Sequence, residues 1–199
     1  MLNLQQTDLF TTLREGLPEA PDIQYISSAI LEYDNYFNYL RDNLSWDSTF
    51  KSRQTATFGA SYNYRSGVQK SGPMPHFLKT FCCVIEQNFA FHPNNCLANY
   101  YPDGNHYISF HSDQDLEMKN QTGVAIVSLG AVREMVLRHI GNPKIRYVYP
   151  LEPGSVFFMT DRLQTIWQHG IPKQSGRGPR ISLSFRSLLR PGDSRPPGT

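Results

Sequence analysis

Read for the spacing of its apolar positions, the chain changes character near Leu97. Before that point, apolar and aromatic residues recur twice at helical intervals. Tyr33, Tyr36, Phe37, Leu40 and Leu44 form one stripe, and Phe77, Leu78, Phe81, Val84, Ile85 and Phe89 form another after Pro73 and Pro75. Residues three and four apart share a helix face, so both segments predict amphipathic helices that pack by their stripes. Beyond Leu97 the period shortens. Residues 124–129, 135–138, 145–149, 156–159 and 180–187 read as strands, divided by turns at Pro102-Asp103-Gly104, Gly141-Asn142-Pro143 and Glu152-Pro153-Gly154. Two helices followed by about eight short strands predict an α+β chain, mainly β. Its form would be a double-stranded β-helix, or jelly-roll, with the N-terminal helices packed on one sheet.

The flanks differ in composition from this middle. Residues 1–21 are polar and end in Pro18 and Pro21, which suggests a loosely ordered arm. Residues 191–199 are rich in proline and glycine and read as a disordered tail. Residues 22–190 then form a single domain, and no internal repeat is visible. Hydrophobic content of 39% and charged content of 18% are those of a globular chain. The start lacks a basic segment followed by an apolar one, and no run is long enough to span a bilayer. An intracellular protein that is not secreted, cytoplasmic or nuclear or in a polyprotein or phage context, monomeric and away from membranes, is expected. Three cysteines cannot all pair and Cys82 adjoins Cys83, so reduced, small buried thiols are the expectation.

Charge is nearly balanced at +2, but unevenly placed. From Arg133 onward eleven lysines and arginines face four acidic residues, Glu134, Glu152, Asp161 and Asp193. That excess is compatible with a phosphate backbone as partner and equally with a solvated face.

The chemistry concentrates in two places. His111 and Asp113 are two apart after a β-prone run, and in extended chain such residues point to one side. With His169 from Trp167-Gln168-His169-Gly170-Ile171 they would make two histidines and a carboxylate, the set that leaves half of a non-haem iron(II) open. No cysteine lies near them, so zinc is not expected. From Arg180 to Arg186 the even positions are Arg, Ser, Ser, Arg and the odd ones Ile181, Leu183 and Phe185. This alternation predicts one apolar face and one polar face that is cationic at both ends. At about 3.3 Å per residue the two arginines stand roughly 20 Å apart at Cα. Leaning inward, they would leave a gap suited to a five-carbon diacid, with Ser182 and Ser184 giving it room. Arginine is the side chain suited to gripping a planar carboxylate at two points.

In these elements the chain resembles the AlkB family of iron(II)- and 2-oxoglutarate-dependent dioxygenases. Asn99-x-Tyr101, His111-x-Asp113, a distal His169 and Arg180-x5-Arg186 stand in the family's order, as do Ser128-Leu129-Gly130 and Pro179-Arg180. The similarity runs over about residues 53–188. It implies that His111, Asp113 and His169 hold Fe(II). It also implies that Asn99, Tyr101, Arg180 and Arg186 hold 2-oxoglutarate, with Ser184 lining the site and O2 as the second co-substrate. Asp115 falls where the family keeps an acidic residue near the substrate base. Without the resemblance, Asn99 and Tyr101 would be read only as strand-end residues.

Residues 53–72 are polar, rich in glycine and aromatic. They resemble the nucleotide-recognition lid of AlkB proteins that repair alkylated nucleic acids. Tyr62, Tyr64 and Arg53 would then contact substrate, an aromatic ring being a natural platform for a base. Ser112 stands where some duplex-repairing relatives carry a basic residue, and the N-terminal half is short for a duplex-probing finger. The resemblance therefore implies oxidative demethylation of N-alkylated bases in single-stranded DNA or RNA, releasing formaldehyde, succinate and CO2. A protein or small-molecule substrate for the same iron chemistry, and an iron-free nucleic-acid-binding module, are the alternatives.

Overall fold

In a computed structural model, residues 19–60, 63–64, 67–68, 73–113 and 122–189 are described. In chain order they form β1 (Ile23–Ile26), α1 (Tyr33–Asn43), β2 (Gln54–Gly59), β3 (Asn63–Tyr64), β4 (Gly67–Val68) and α2 (Leu78–Asn88). There follow β5 (Asn95–Tyr101), β6 (Ile108–His111), β7 (Gly123–Gly130), β8 (Arg133–His139), β9 (Arg146–Leu151) and β10 (Val156–Thr160). Helix α3 (Asp161–Ile166), β11 (Trp167–Ile171) and β12 (Arg180–Arg186) complete the set. The described strands make a six-stranded sheet in the order β1-β10-β7-β12-β5-β2 and a four-stranded sheet in the order β6-β11-β8-β9, both antiparallel throughout. β3 and β4 pair separately.

Side-chain parity explains the layering. In β7, Ala125, Val127 and Leu129 point to one apolar cluster while Val124 and Ile126 point to another. β10 divides likewise, with Val156 and Phe158 on the first side and Phe157 and Met159 on the second. The first cluster lies between the six-stranded sheet and the helices, whose Phe37, Leu40, Leu78, Phe81 and Ile85 are buried there. The second lies between the two sheets, where Met135, Leu137 and Trp167 come from the four-stranded one. A strand covered on both faces reads as a near-continuous apolar run, and residues 124–129 are apolar except for Ser128. The double-stranded β-helix expected from the sequence is therefore the fold, with both helices on one sheet.

Three local features depart from the sequence reading. Residues 54–59, read wholly as lid, form the edge strand β2, which pairs with β5 from Gln54↔Tyr100 to Gly59↔Asn95. Their polar character suits an edge half open to water, yet Thr55 is buried. Helix α3 is too short to show a helical period. Only one of the three thiols is fully buried: Cys96 is enclosed in β5, Cys82 is partly covered and Cys83 is exposed. Neighbouring residues on a helix point about 100° apart, so Cys82 and Cys83 cannot both face the sheet. Tyr62, the side chain of Tyr64, Asp115, residues 1–18 of the arm and the tail lie outside the described residues.

Gly130, which closes β7, has φ +83°. A Cβ there would stand 2.6 Å from the Pro179 carbonyl oxygen and 2.7 Å from the Phe37 ring. Gly130→Ala should cost about 1–2 kcal/mol from the left-handed backbone alone, before any contact with Phe37 is counted. Urea unfolding of the variant against the parent measures it.

Candidate metal centre and co-substrate pocket

β6 and β11 are neighbours in the four-stranded sheet, and their register sets His169 opposite His111. The two imidazole centroids are 4.3 Å apart. Asp113 follows the end of β6 and turns its carboxylate between them. Its Oδ1 is 3.6 Å from His111 Nε2 and its Oδ2 is 3.6 Å from His169 Nε2. The donor atoms of all three lie within 4.8 Å of one another. His111 Nδ1 is 2.9 Å from the Ser109 carbonyl oxygen. A carbonyl can only accept, so Nδ1 carries the proton and the Nε2 lone pair faces the cluster.

Burial and charge leave Asp113 and His169 in their ligating forms. Burial alone would raise the Asp113 carboxyl, but the Arg186 guanidinium, His169 and His111 together hold it well below the usual carboxylate range. His169 is pushed down to about 3, first by burial and then by His111, so its imidazole is neutral. Two imidazole nitrogens and one carboxylate on one side of a cleft form a donor set that fits ferrous iron.

The cationic strand lies across the cleft. β12 is central rather than an edge, paired with β5 on one side and β7 on the other. Its odd residues Ile181, Leu183 and Phe185 join the helix-side core, as the alternation requires. Its even residues line the cleft with Asn99, Tyr101 and the three donors. Arg186 Nη2 donates to Asp113 Oδ2 at 3.0 Å. Arg180 stands at the opposite end, opposite Tyr101 in register, its guanidinium 5.4 Å from that ring. Its Nη2 donates to Ser128 Oγ at 2.9 Å. Arg180 Nε and Nη1 are buried and have no acceptor among the described residues. Burial pulls the Arg180 guanidinium down to about 10, with Tyr101 opposing, so it still bears its charge at neutral pH. A buried cation with unanswered donors suits an anionic guest such as the far carboxylate of a diacid.

Arg53, expected to contact substrate, lies against the wall of the cleft. It is buried, with Nε donating to Asn99 Oδ1 at 2.8 Å and its guanidinium 4.8 Å from the Phe50 ring. It thus joins the start of β2 to the pocket wall. Two residues near the site escaped the sequence reading. Gln164 on α3 accepts a hydrogen bond from the backbone of Asp113. Arg133, counted there only as part of the basic excess, is fully buried. It donates to the carbonyls of Asp103, His106 and Pro172 and to Gln174 Oε1. Its signal in the sequence was an arginine at the same parity as the inward-facing Met135 and Leu137.

With this geometry in hand, residues 13–186 match the profile of the 2OG-Fe(II) oxygenase superfamily. The chain belongs to that superfamily. Its similarity to curated proteins lies within the AlkB family. The alpha-ketoglutarate-dependent dioxygenase alkB homolog 3 of Homo sapiens is 30% identical over 160 residues, covering 74% of this chain and 56% of the relative. The Mus musculus homolog 3 is 31% identical over 149 residues, covering 68% and 51%. DNA oxidative demethylase ALKBH2 of Homo sapiens is 36% identical over 114 residues, covering 53% and 42%. This oxygenase spans about half the length of the curated relatives it matches. Among solved structures, that of OsALKBH1 shares the fold, with TM-score 0.63 and 16% identity over 86% of this chain and 100% of that one. Fe(II), 2-oxoglutarate and O2 are the cofactor and co-substrates of the superfamily, and the His111, Asp113 and His169 cluster is compatible with the metal. No helix among the described residues is long and apolar enough to cross a membrane.

Proposed function

We propose that this oxygenase oxidatively demethylates N-alkylated bases in nucleic acid, with single-stranded DNA or RNA as substrate and formaldehyde, succinate and CO2 as products. The observation that carries the chemistry is the meeting of His111, Asp113 and His169 in one cleft with Arg180 and Arg186. In this reading His111 Nε2, an Asp113 carboxylate oxygen and His169 Nε2 hold iron(II), which with 2-oxoglutarate and O2 supplies the oxidation of a methyl C–H bond.

The remaining residues bind, orient and exclude water. Arg180 takes the far carboxylate of 2-oxoglutarate through the donors that no described residue answers, and Tyr101 lies beside it. Asn99, held by Arg53, presents its amide to the same guest. Ser182 and Ser184 keep the floor low enough to admit it. Arg186 fixes the Asp113 carboxylate near the metal end. Leu97, Ile126, Met135 and Ile171 form apolar walls that keep bulk water from the centre.

The nucleic-acid substrate is supported by the relatives, one of which is named a DNA oxidative demethylase. Charge supports it as well. The turn joining β8 to β9 carries Lys144 between Arg138 and Arg146, without a carboxylate, on the sheet that bears His111 and His169. Phe110 on β6 lies 4.0 Å from the Arg138 guanidinium carbon and 5.8 Å from that of Arg146. Tyr62, Tyr64 and Asp115 are assigned to the base, on the strength of their positions in the family pattern.

Formaldehyde release across methylated oligonucleotides, single- and double-stranded, DNA and RNA, tests the proposal. Release from N-methylated single strands is expected, and Tyr62→Ala or Tyr64→Ala should slow it while leaving substrate-free 2-oxoglutarate turnover in place. Turnover of 2-oxoglutarate with no formaldehyde from any oligonucleotide would give the site to a protein or small molecule instead.

A further inference from the structure

The placement of Asp113 depends on an element that supplies no donor to the cluster. β6 ends at His111, so beyond it the ladder offers no partner to the backbone N–H of Asp113. A buried N–H left without an acceptor is costly, and here one comes from a side chain. The Asp113 N–H donates to Gln164 Oε1 at 2.9 Å. Gln164 sits on α3 and is 2% exposed. Its Nε2 lies 3.9 Å from Met159 Sδ, a weak acceptor. The amide is therefore positioned for its oxygen. A residue required only to fill this space would be leucine or methionine, which bury no polar group.

The chain geometry gives that bond leverage. α3 runs directly into β11, which carries His169. One residue earlier than Asp113, Ser112 Oγ donates to the Trp167 carbonyl at 3.3 Å. Two side chains thus tie the segment leaving β6 to the segment entering β11. Arg186 holds the carboxylate through Oδ2, a contact with the side chain rather than with the backbone of Asp113. Among the described residues, Gln164 is the side chain that holds the Asp113 backbone N–H. A neutral acceptor is also the right one, since a carboxylate at Gln164 would stand against that of Asp113.

We propose that Gln164 is the positioning residue for the metal ligand Asp113, setting the third donor between the two histidines before any metal arrives. The inference rests on the metal reading of His111, Asp113 and His169. It predicts that losing the Gln164 oxygen weakens metal binding about 10- to 100-fold, the range found for groups that orient a ligand.

The test is titration of the metal-free protein with Co(II), followed by its ligand-field absorption, with circular dichroism and thermal unfolding of the same samples. Gln164→Met keeps the volume and removes the acceptor. It should fold, bind Co(II) at least about 10-fold more weakly than the parent and show altered absorption bands. If Gln164→Met does not fold, Gln164→Asn serves, because its amide falls one methylene short of Asp113, and the same loss is expected. Parental affinity and parental bands in a folded variant overturn the role of Gln164 while leaving the metal site standing. Failure of the parent itself to bind Co(II) overturns the metal reading and this inference with it.

Discussion

Asp113→Ala is expected to abolish 2-oxoglutarate turnover and to destabilise the fold at the same time. The two effects have separate causes. Loss of the carboxylate leaves the histidines as the only donors, and removing a ligand costs more than the roughly 10- to 100-fold typical of a group that merely orients one. The variant also removes the carboxylate that Arg186 faces at 3.0 Å, with both side chains 3% exposed. Breaking a buried pair by deleting one partner costs about 3–5 kcal/mol, because the other charge stays behind in a poor solvent. His111→Ala separates the terms. Its side chain is 24% exposed and its Nδ1 bonds only a local carbonyl. Turnover should vanish there too, with stability changed by about 1 kcal/mol or less. Succinate formation and urea unfolding of both variants give the comparison. Undiminished turnover in His111→Ala would contradict the metal assignment.

Arg133→Met should be among the most destabilising substitutions in the chain although it touches no proposed ligand. The guanidinium is fully buried. It answers carbonyls from the turn after β5, at Asp103 and His106, and from the segment after β11, at Pro172, as well as the Gln174 amide. Methionine fills the space and answers none of them. Gln174 Oε1 keeps the Glu134 N–H, but three part-buried carbonyls lose a donor, and an unanswered buried acceptor costs about 1–3 kcal/mol. A total near 4 kcal/mol corresponds to roughly 8–16 °C in melting temperature for a domain of this size. Arg133 is also 5.9 Å from the Tyr101 ring, so the pocket wall should loosen with it. Differential scanning calorimetry and the Michaelis constant for 2-oxoglutarate check both parts. An unchanged melting temperature would show that water can replace the guanidinium.

Much of this architecture could be read in advance, and the reasons differ by element. β12 was legible because one face packs on helices and the other lines a cleft, so its alternation is complete. α1 and α2 were legible because each buries a single stripe. β2 was missed because an edge strand half in water has no apolar period to show, and glycine with threonine there imitates a loop. The donors could be named from residue type and order. That His169 lies directly across from His111 could not be, since register over so long a separation follows from how the whole sheet closes. Gln164 left no signal, and Arg133 only its parity with Met135 and Leu137, for a related reason. Each acts on backbone groups of distant segments, and a backbone carbonyl leaves no mark in a sequence.

The double burial of β7 bears on how this scaffold could be diversified. Neither face of that strand meets water, so a polar substitution at any of Val124, Ala125, Ile126, Val127 and Leu129 enters one apolar layer or the other. A saturation library should find its lowest tolerance there. The outward residues of β9, with Arg146 and Val148 exposed, should accept the widest range of replacements without loss of the catalytic frame.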